Sequence, residues 1–121
     1  MALLSAEAKT MIGAMHPAMV ATADASGKPN VSAKGSFQVL DDEHVLFADV
    51  HSPRTITNLR VNPFLSAICF DPATRHGCRV WGKAEIVDSG ELLERVNEQL
   101  KARNMQAKHV VVVTVDSSVT F

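Results

Sequence analysis

The chain has 121 residues, a length that suits one domain around one core. Hydrophobic residues make up 46% and charged residues 21%, the balance of a globular protein rather than a disordered one. A formal net charge of −1, with no run of like charge, argues against a binder of nucleic-acid backbone.

The first segment, "MALLSAEAKTMIGAM", has no basic start, and Glu7 and Lys9 interrupt its apolar residues. It therefore does not read as a signal peptide. No window approaches the roughly 18 apolar residues of a membrane span. Residues 4–14 instead predict a short amphipathic helix, capped by Ser5 and ending near Gly13.

A run of antiparallel strands follows. Met19 to Ala23 is the first, and "DASGKPN" is a turn rich in Asp, Ser, Gly, Pro and Asn. Val31 to Leu40 is the second, and "DDEH" the next turn. Val45 to Val50 is the third, apolar enough to be buried on both faces. Residues 53–61 predict a short helix stopped by Asn62-Pro63, because a residue before proline is pushed out of helical geometry. "FLSAICF" is a fourth strand and "DPATRHG" a loop. "CRVWGKAEIVD" is a long fifth strand in which Gly82 marks a bulge or a close backbone approach. "SGELLERVNEQLKARN" is the clearest helix: Ser89 caps it, acidic residues start it, basic ones end it, and Leu92, Val96 and Leu100 form its apolar stripe. "HVVVVTVDSSVTF" supplies a sixth strand and a tail. Six strands at short spacing predict a small barrel, and a dimer would cover the apolar surface left outside.

The stretch "FADVHSPRTITNLRVNPF" carries the most chemistry. Ser52 has the character of a cap, and Pro53 sits where its missing N–H costs nothing. A capping box would place Glu or Gln at the third helical position, but Thr55 stands there and Arg54 adds positive charge. Free N–H groups, a hydroxyl and a guanidinium fit a phosphate-sized anion; the alternative is a solvated arginine on an ordinary capped helix. Ser32 and Lys34 share one face of the second strand, facing a ligand or solvent. Asp49 ends an apolar strand, where an unpaired carboxylate is costly, so pairing with Arg54 or Lys34, or with a ligand, is expected. The five histidines have no metal-ligand spacing, and Cys69 and Cys78 none for metal or redox work, so two reduced thiols, no metal and a cytoplasmic location are expected. Trp81, the one tryptophan, is expected in the core or at a subunit interface.

Together, "VATADASGKPNVSAKGSF", "VLDDEHVLFADVHSPRTITNLRVNPFLSAI" and "VWGKAEIV" resemble the FMN-binding split-barrel proteins related to pyridoxamine 5'-phosphate oxidase. The likeness spans residues 15 to 87, and its most specific piece is a basic residue and Thr, then "NL", then "NP". The resemblance implies that residues 1–121 form one six-stranded antiparallel split β-barrel, mainly β with short helices, that pairs as a homodimer with FMN in two interface clefts. It implies that Arg54 and Thr55 contact the FMN phosphate with Ser52 near it. Ser32, Ala33 and Lys34 would line the phosphate or ring, and Ala48, Asp49 and Val50 would run along the flavin. Asn58 would support the loop, and Arg79 and Trp81 would reach the flavin of the other subunit. Two departures stand out. The larger oxidases carry a C-terminal segment, rich in Arg and Trp, that holds pyridoxal phosphate, and this chain has none before Phe121. Ala33 also stands near the place of an arginine of that enzyme. The resemblance thus points to a compact flavoprotein, an oxidoreductase or electron carrier that meets a small redox substrate or electron donor. It implies neither a nucleic-acid nor a membrane partner. A deazaflavin-dependent reductase, and a flavin or haem carrier using His51 or His109, remain as alternatives.

Overall fold

The computed structural model describes residues 3–121. Helix α1 (Ala6–Ala14) leads into strands β1 (Ala18–Ala23), β2 (Pro29–Lys34), β3 (Gln38–Val39) and β4 (His44–Asp49). Helix α2 (Pro53–Val61), strands β5 (Phe64–Asp71) and β6 (His76–Val87), helix α3 (Glu91–Leu100), a 3-10 turn (Lys101–Arg103) and strand β7 (His109–Thr120) complete it. The strands form one antiparallel sheet in the order β2-β1-β5-β6-β7-β4-β3. Its two edges, β2 and β3, are joined by only Gly35, Ser36 and Phe37. So short a link forces the sheet to curl until its edges meet, which makes it a split barrel.

The expected second strand, Val31 to Leu40, is therefore two strands, and the sheet has seven rather than six. The break falls where Ser36 leaves the ladder: its Oγ accepts the Ala48 N–H at 2.8 Å. Phe37 then turns inward, 1% exposed, with its ring centroid 6.4 Å from that of Phe47.

Strand β4 is buried on both faces, as its apolar run implies, because each face meets a different core. Val45 and Phe47 point into the barrel with Val20, Val80, Val111 and Val113, under α1. Leu46 and Ala48 point the other way, against Val96 and Leu100 of α3. Period-two alternation of the strand thus feeds both clusters.

The helix ends show where local signals prevail and where they do not. Ser5 caps α1 by accepting the Ala8 N–H at 3.0 Å. Asn62 ends α2 in an extended conformation before Pro63. Ser89 does not cap α3. The cap position belongs to Gly90, at φ 101°, a conformation open mainly to glycine. The basic residues expected at the end of α3, Lys101 and Arg103, fall instead in the 3-10 turn that follows it. Asn97 ties this region to the start of β7: its Oδ1 accepts the Ala107 N–H at 2.7 Å.

Gly82 sits at the one register shift between β6 and β7. A Cβ there would lie 2.4 Å from the Thr114 carbonyl oxygen and 2.6 Å from Val113 Cγ1. Bulge and close approach, both anticipated from the sequence, coincide at this residue.

Candidate functional site

The end of β4 and the start of α2 form a tight corner. Asp49, 3% exposed, accepts the Ser52 N–H on Oδ1 at 2.8 Å. Its Oδ2 accepts from His109 Nδ1 at 2.7 Å. The expected partners Arg54 and Lys34 do not pair with it. Position along the sheet explains this: β4 and β7 are antiparallel neighbours, and their register sets Asp49 opposite His109.

Lys34, at the end of β2, is 6% exposed. Its ammonium donates to Ser52 Oγ and lies 5.7 Å from the Phe47 ring centroid. Burial pushes the Lys34 pKa down, and the Asp49 carboxylate opposes part of that shift. Among the described residues Lys34 makes no salt bridge.

Ser52 is consequently engaged by Lys34 and does not cap α2 with its side chain, against the sequence expectation. The first turn of α2 closes when the Ile56 N–H reaches the Ser52 carbonyl at 3.1 Å. The N–H groups of Arg54 and Thr55 precede that bond, Pro53 has none, and no acidic side chain stands in the turn. The Asp49 carboxylate takes the Ser52 N–H, and the Arg54 and Thr55 N–H groups at the positive end of the helix dipole remain open to an anion. Arg54 is exposed and lines a cavity of about 430 Å³ with Lys28, Asn30, Thr57, Asn58 and one carboxylate, Asp24.

A second cavity, of about 290 Å³, brings together five of the expected site residues: Ala33, Lys34, Ala48, Val50 and Ser52. Ser36, His51 and Arg103 also line it, and no carboxylate does. A third, of about 260 Å³, is lined by Asp49, His51, Ser52, Pro53 and His109. Ser52 belongs to both, and Pro53 connects the third to the Arg54 cavity.

The remaining expected residues are dispersed. Thr55 is 1% exposed, so its side chain faces the interior rather than an anion at the surface. Asn58 is buried and its Nδ2 donates to Thr22 Oγ1 at 3.1 Å, binding α2 to β1. Ser32 is half-buried on β2, opposite Val20. Arg79 and Trp81 lie on the outer face of the sheet, with the Arg79 guanidinium carbon 5.7 Å from the Trp81 ring centroid. Trp81 is 38% exposed, so it is not a core residue. Sequence reasoning missed Ser36, His109 as partner of Asp49, and Arg103. Ser36 and Gly35 carry a weak signal as strand breakers, but the other two arrive through tertiary structure.

Among the described residues no group of three His, Cys, Asp or Glu side chains is placed to hold a metal. No helix among them is long and apolar enough to cross a membrane. Cys69 and Cys78 face each other across β5 and β6 as buried free thiols, and burial pushes the Cys69 pKa up to about 11.

The family model for pyridoxamine 5'-phosphate oxidase matches residues 4–119. The chain belongs to this family. Membership of the pyridoxamine 5'-phosphate oxidase family agrees with the curled antiparallel sheet and its short helices. Among solved structures, HupZ of Group A Streptococcus is 28% identical, with a TM-score of 0.90 over 98% of this chain and 94% of that one. HutZ, the haem storage protein of Vibrio cholerae, is 25% identical, with a TM-score of 0.68 over 100% of this chain and 94% of that one. An FMN-binding protein of Syntrophomonas wolfei subsp. wolfei shares the fold, at 17% identity, with a TM-score of 0.85 over 93% of this chain and 82% of that one. No curated protein matches the sequence.

Proposed function

We propose that this protein is an FMN-binding flavoprotein that works as a small oxidoreductase or electron carrier. The observation that carries this reading is the corner at Asp49–Thr55. There an uncapped positive helix start, with Arg54 on it, adjoins a cavity whose buried ammonium, Lys34, has no salt-bridge partner among the described residues. Phosphate belongs at the first turn of α2, beside Arg54 and the free N–H groups. The ring belongs along Ala33–Lys34 and Ala48–Val50, where apolar walls meet the cations Lys34 and Arg103. Burial keeps Lys34 desolvated, so a charge-assisted hydrogen bond from it to a ligand oxygen is strong. FMN supplies the redox chemistry, and the chain positions and desolvates it.

The outer sheet face fits a second copy of the chain. Ala33, Met19, Ile68, Arg79 and Val119 form one row across five strands, and Val31, Ala21, Ser66, Trp81 and Ser117 the next. Met19, Val31, Trp81 and Val119 in these rows are exposed, at 40%, 60%, 38% and 45%. An apolar patch that spans the sheet is the mark of an interface.

A second reading rests on His109, whose imidazole is fixed by Asp49 at the mouth of a cavity that also holds His51. Such a histidine suits an iron ligand, as in a haem carrier. Titration of purified protein with FMN and with haem separates the readings. Flavin absorbance with bound FMN supports the first. A Soret band that disappears in His109→Ala, with no FMN uptake, replaces it with the second.

A further inference from the structure

The cavity beside Arg54 is larger than a phosphate needs. Its volume of about 430 Å³ falls in the range of small-molecule sites, roughly 300–1,000 Å³. It also has two walls. Arg54, Thr57 and Asn58 of α2 form one, and the β1–β2 turn with the first residues of β2 forms the other.

The second wall is held in place by its own hydrogen bonds. Asp24 Oδ1 accepts the Ser26 N–H at 2.9 Å, the Ser26 hydroxyl at 2.7 Å and the Lys28 N–H at 2.9 Å. The Asp24 N–H donates to the Lys28 carbonyl at 3.1 Å, and Gly27 supplies the φ of 87° that closes the turn. The Ser26 hydroxyl, and then the Lys28 N–H, hold the Asp24 carboxyl below its ordinary range, so the turn stays set at neutral pH. Asn58 Nδ2 ties this wall to α2 through Thr22 Oγ1 at 3.1 Å, two residues before the turn. Lys28 is exposed and, like Arg54, forms no salt bridge among the described residues.

We propose that this cavity takes the nucleoside-phosphate half of a dinucleotide, so that the protein binds FAD as well as FMN, with Lys28 as the residue that reads the extra half. The inference rests on the flavin reading for the ring and deepens it by naming the ligand class. FAD spreads over two phosphoryl groups the roughly two negative charges that FMN carries on one. Two cations on opposite walls match that spread: Arg54 serves the first phosphoryl group and Lys28 the second. All three hydrogen bonds to Asp24 fall on Oδ1. Its Oδ2 is an acceptor only, which suits the hydroxyl donors of a ribose. Pro29 and Pro53 give the base its apolar surfaces.

Strand β2 sets the length of the ligand. It runs from Pro29 and Asn30 at this cavity to Ala33 and Lys34 at the ring cavity. From Asn30 to Lys34 the strand advances about 13 Å, at about 3.3 Å per residue. An elongated molecule laid along it has its ring at one end, its nucleoside at the other, and its phosphates beside Arg54 between them.

The test is titration of the purified protein with FMN and with FAD, read by flavin fluorescence, in wild type and Lys28→Met. The Lys28 side chain is exposed and the turn is held through its backbone N–H, so the variant keeps the fold. Wild type should bind FAD within about tenfold of FMN, and Lys28→Met should weaken FAD about three- to tenfold more than FMN, the scale of one screened charge. The ratio of the two ligands cancels any effect of Lys28 on the phosphate they share. FMN binding without FAD binding, or an unchanged ratio in Lys28→Met, overturns the proposal. If neither flavin binds, the flavin reading fails, and a second arm decides the cavity without it. ADP is titrated into isotope-labelled protein and the backbone amides are followed by NMR. Shifts at residues 24–30 and 54–58 that shrink in Lys28→Met uphold the nucleotide site, and no shift there at millimolar ADP overturns it.

Discussion

Replacing Lys34 with Met should act with opposite sign on the free protein and on its complex with FMN. In the free protein a 6% exposed ammonium rests on a serine hydroxyl and an aromatic face. Its desolvation is only partly offset, as the lowered pKa shows. Met has similar length and no charge, and apolar replacement of buried ionic groups is neutral or stabilising by about 1–4 kcal/mol. At roughly 4 °C per kcal/mol for a chain of this size, the melting temperature stays level or rises by up to about 16 °C. The pH dependence has a definite sign. A lysine with a lowered folded-state pKa binds fewer protons folded than unfolded between that pKa and the ordinary 10.5. Wild-type stability therefore gains as pH rises through that window, because the cost of the buried charge is relieved. Lys34→Met removes that gain, so its advantage over wild type is full at neutral pH and shrinks towards pH 10.5. FMN binding moves the other way. Loss of one charge-assisted hydrogen bond costs about 1.5–3 kcal/mol, a weakening of roughly ten- to 150-fold. Differential scanning calorimetry from pH 7 to 10, with flavin fluorescence titration, reads both effects. A variant that is destabilised in the free state and binds FMN as well as wild type would refute the assignment of Lys34 as a buried ligand cation.

Three further outcomes are expected. Arg54→Ala should weaken FMN by about 1.5–3 kcal/mol while barely changing the melting temperature, because Arg54 is exposed; isothermal titration checks it. Gly82→Ala should destabilise by about 1–3 kcal/mol, since its Cβ must displace the Thr114 carbonyl from 2.4 Å, and chemical denaturation measures the loss. Trp81→Glu should convert a dimer into a folded monomer in sedimentation experiments, and an unchanged mass would move the interface off the outer sheet face.

What could be foreseen from the chain follows the range of the interactions. The Ser5 cap, the Asn62-Pro63 stop and the apolar β4 are set within a few residues, and all three appear as expected. The break at Gly35–Phe37 was missed because an apolar alternation continues through it. What ends the strand is Ser36 turning to the Ala48 N–H, twelve residues on. The site shows the same division. Arg54 and the open start of α2 were legible locally, whereas the partner of Asp49 comes from sixty residues away and depends on the β4–β7 register. Ser52 illustrates the competition directly: a good capping side chain is diverted by a lysine eighteen residues earlier.

The three-residue link between β2 and β3 has a consequence for how the site is assembled. The β1–β2 and β3–β4 pairs are each local in sequence, but they attach to opposite ends of the β5-β6-β7 platform. Lys34 rides on one pair and Ala48 on the other, so the cavity is a seam between two separately built halves. Gly35–Phe37 is the tether that holds the seam shut. Lengthening it by a few glycines costs little in closure entropy, on the order of 0.6 kcal/mol per doubling. Such a chain would keep its core and its sheet order yet lose the spacing across the seam, which separates the capacity to fold from the capacity to bind.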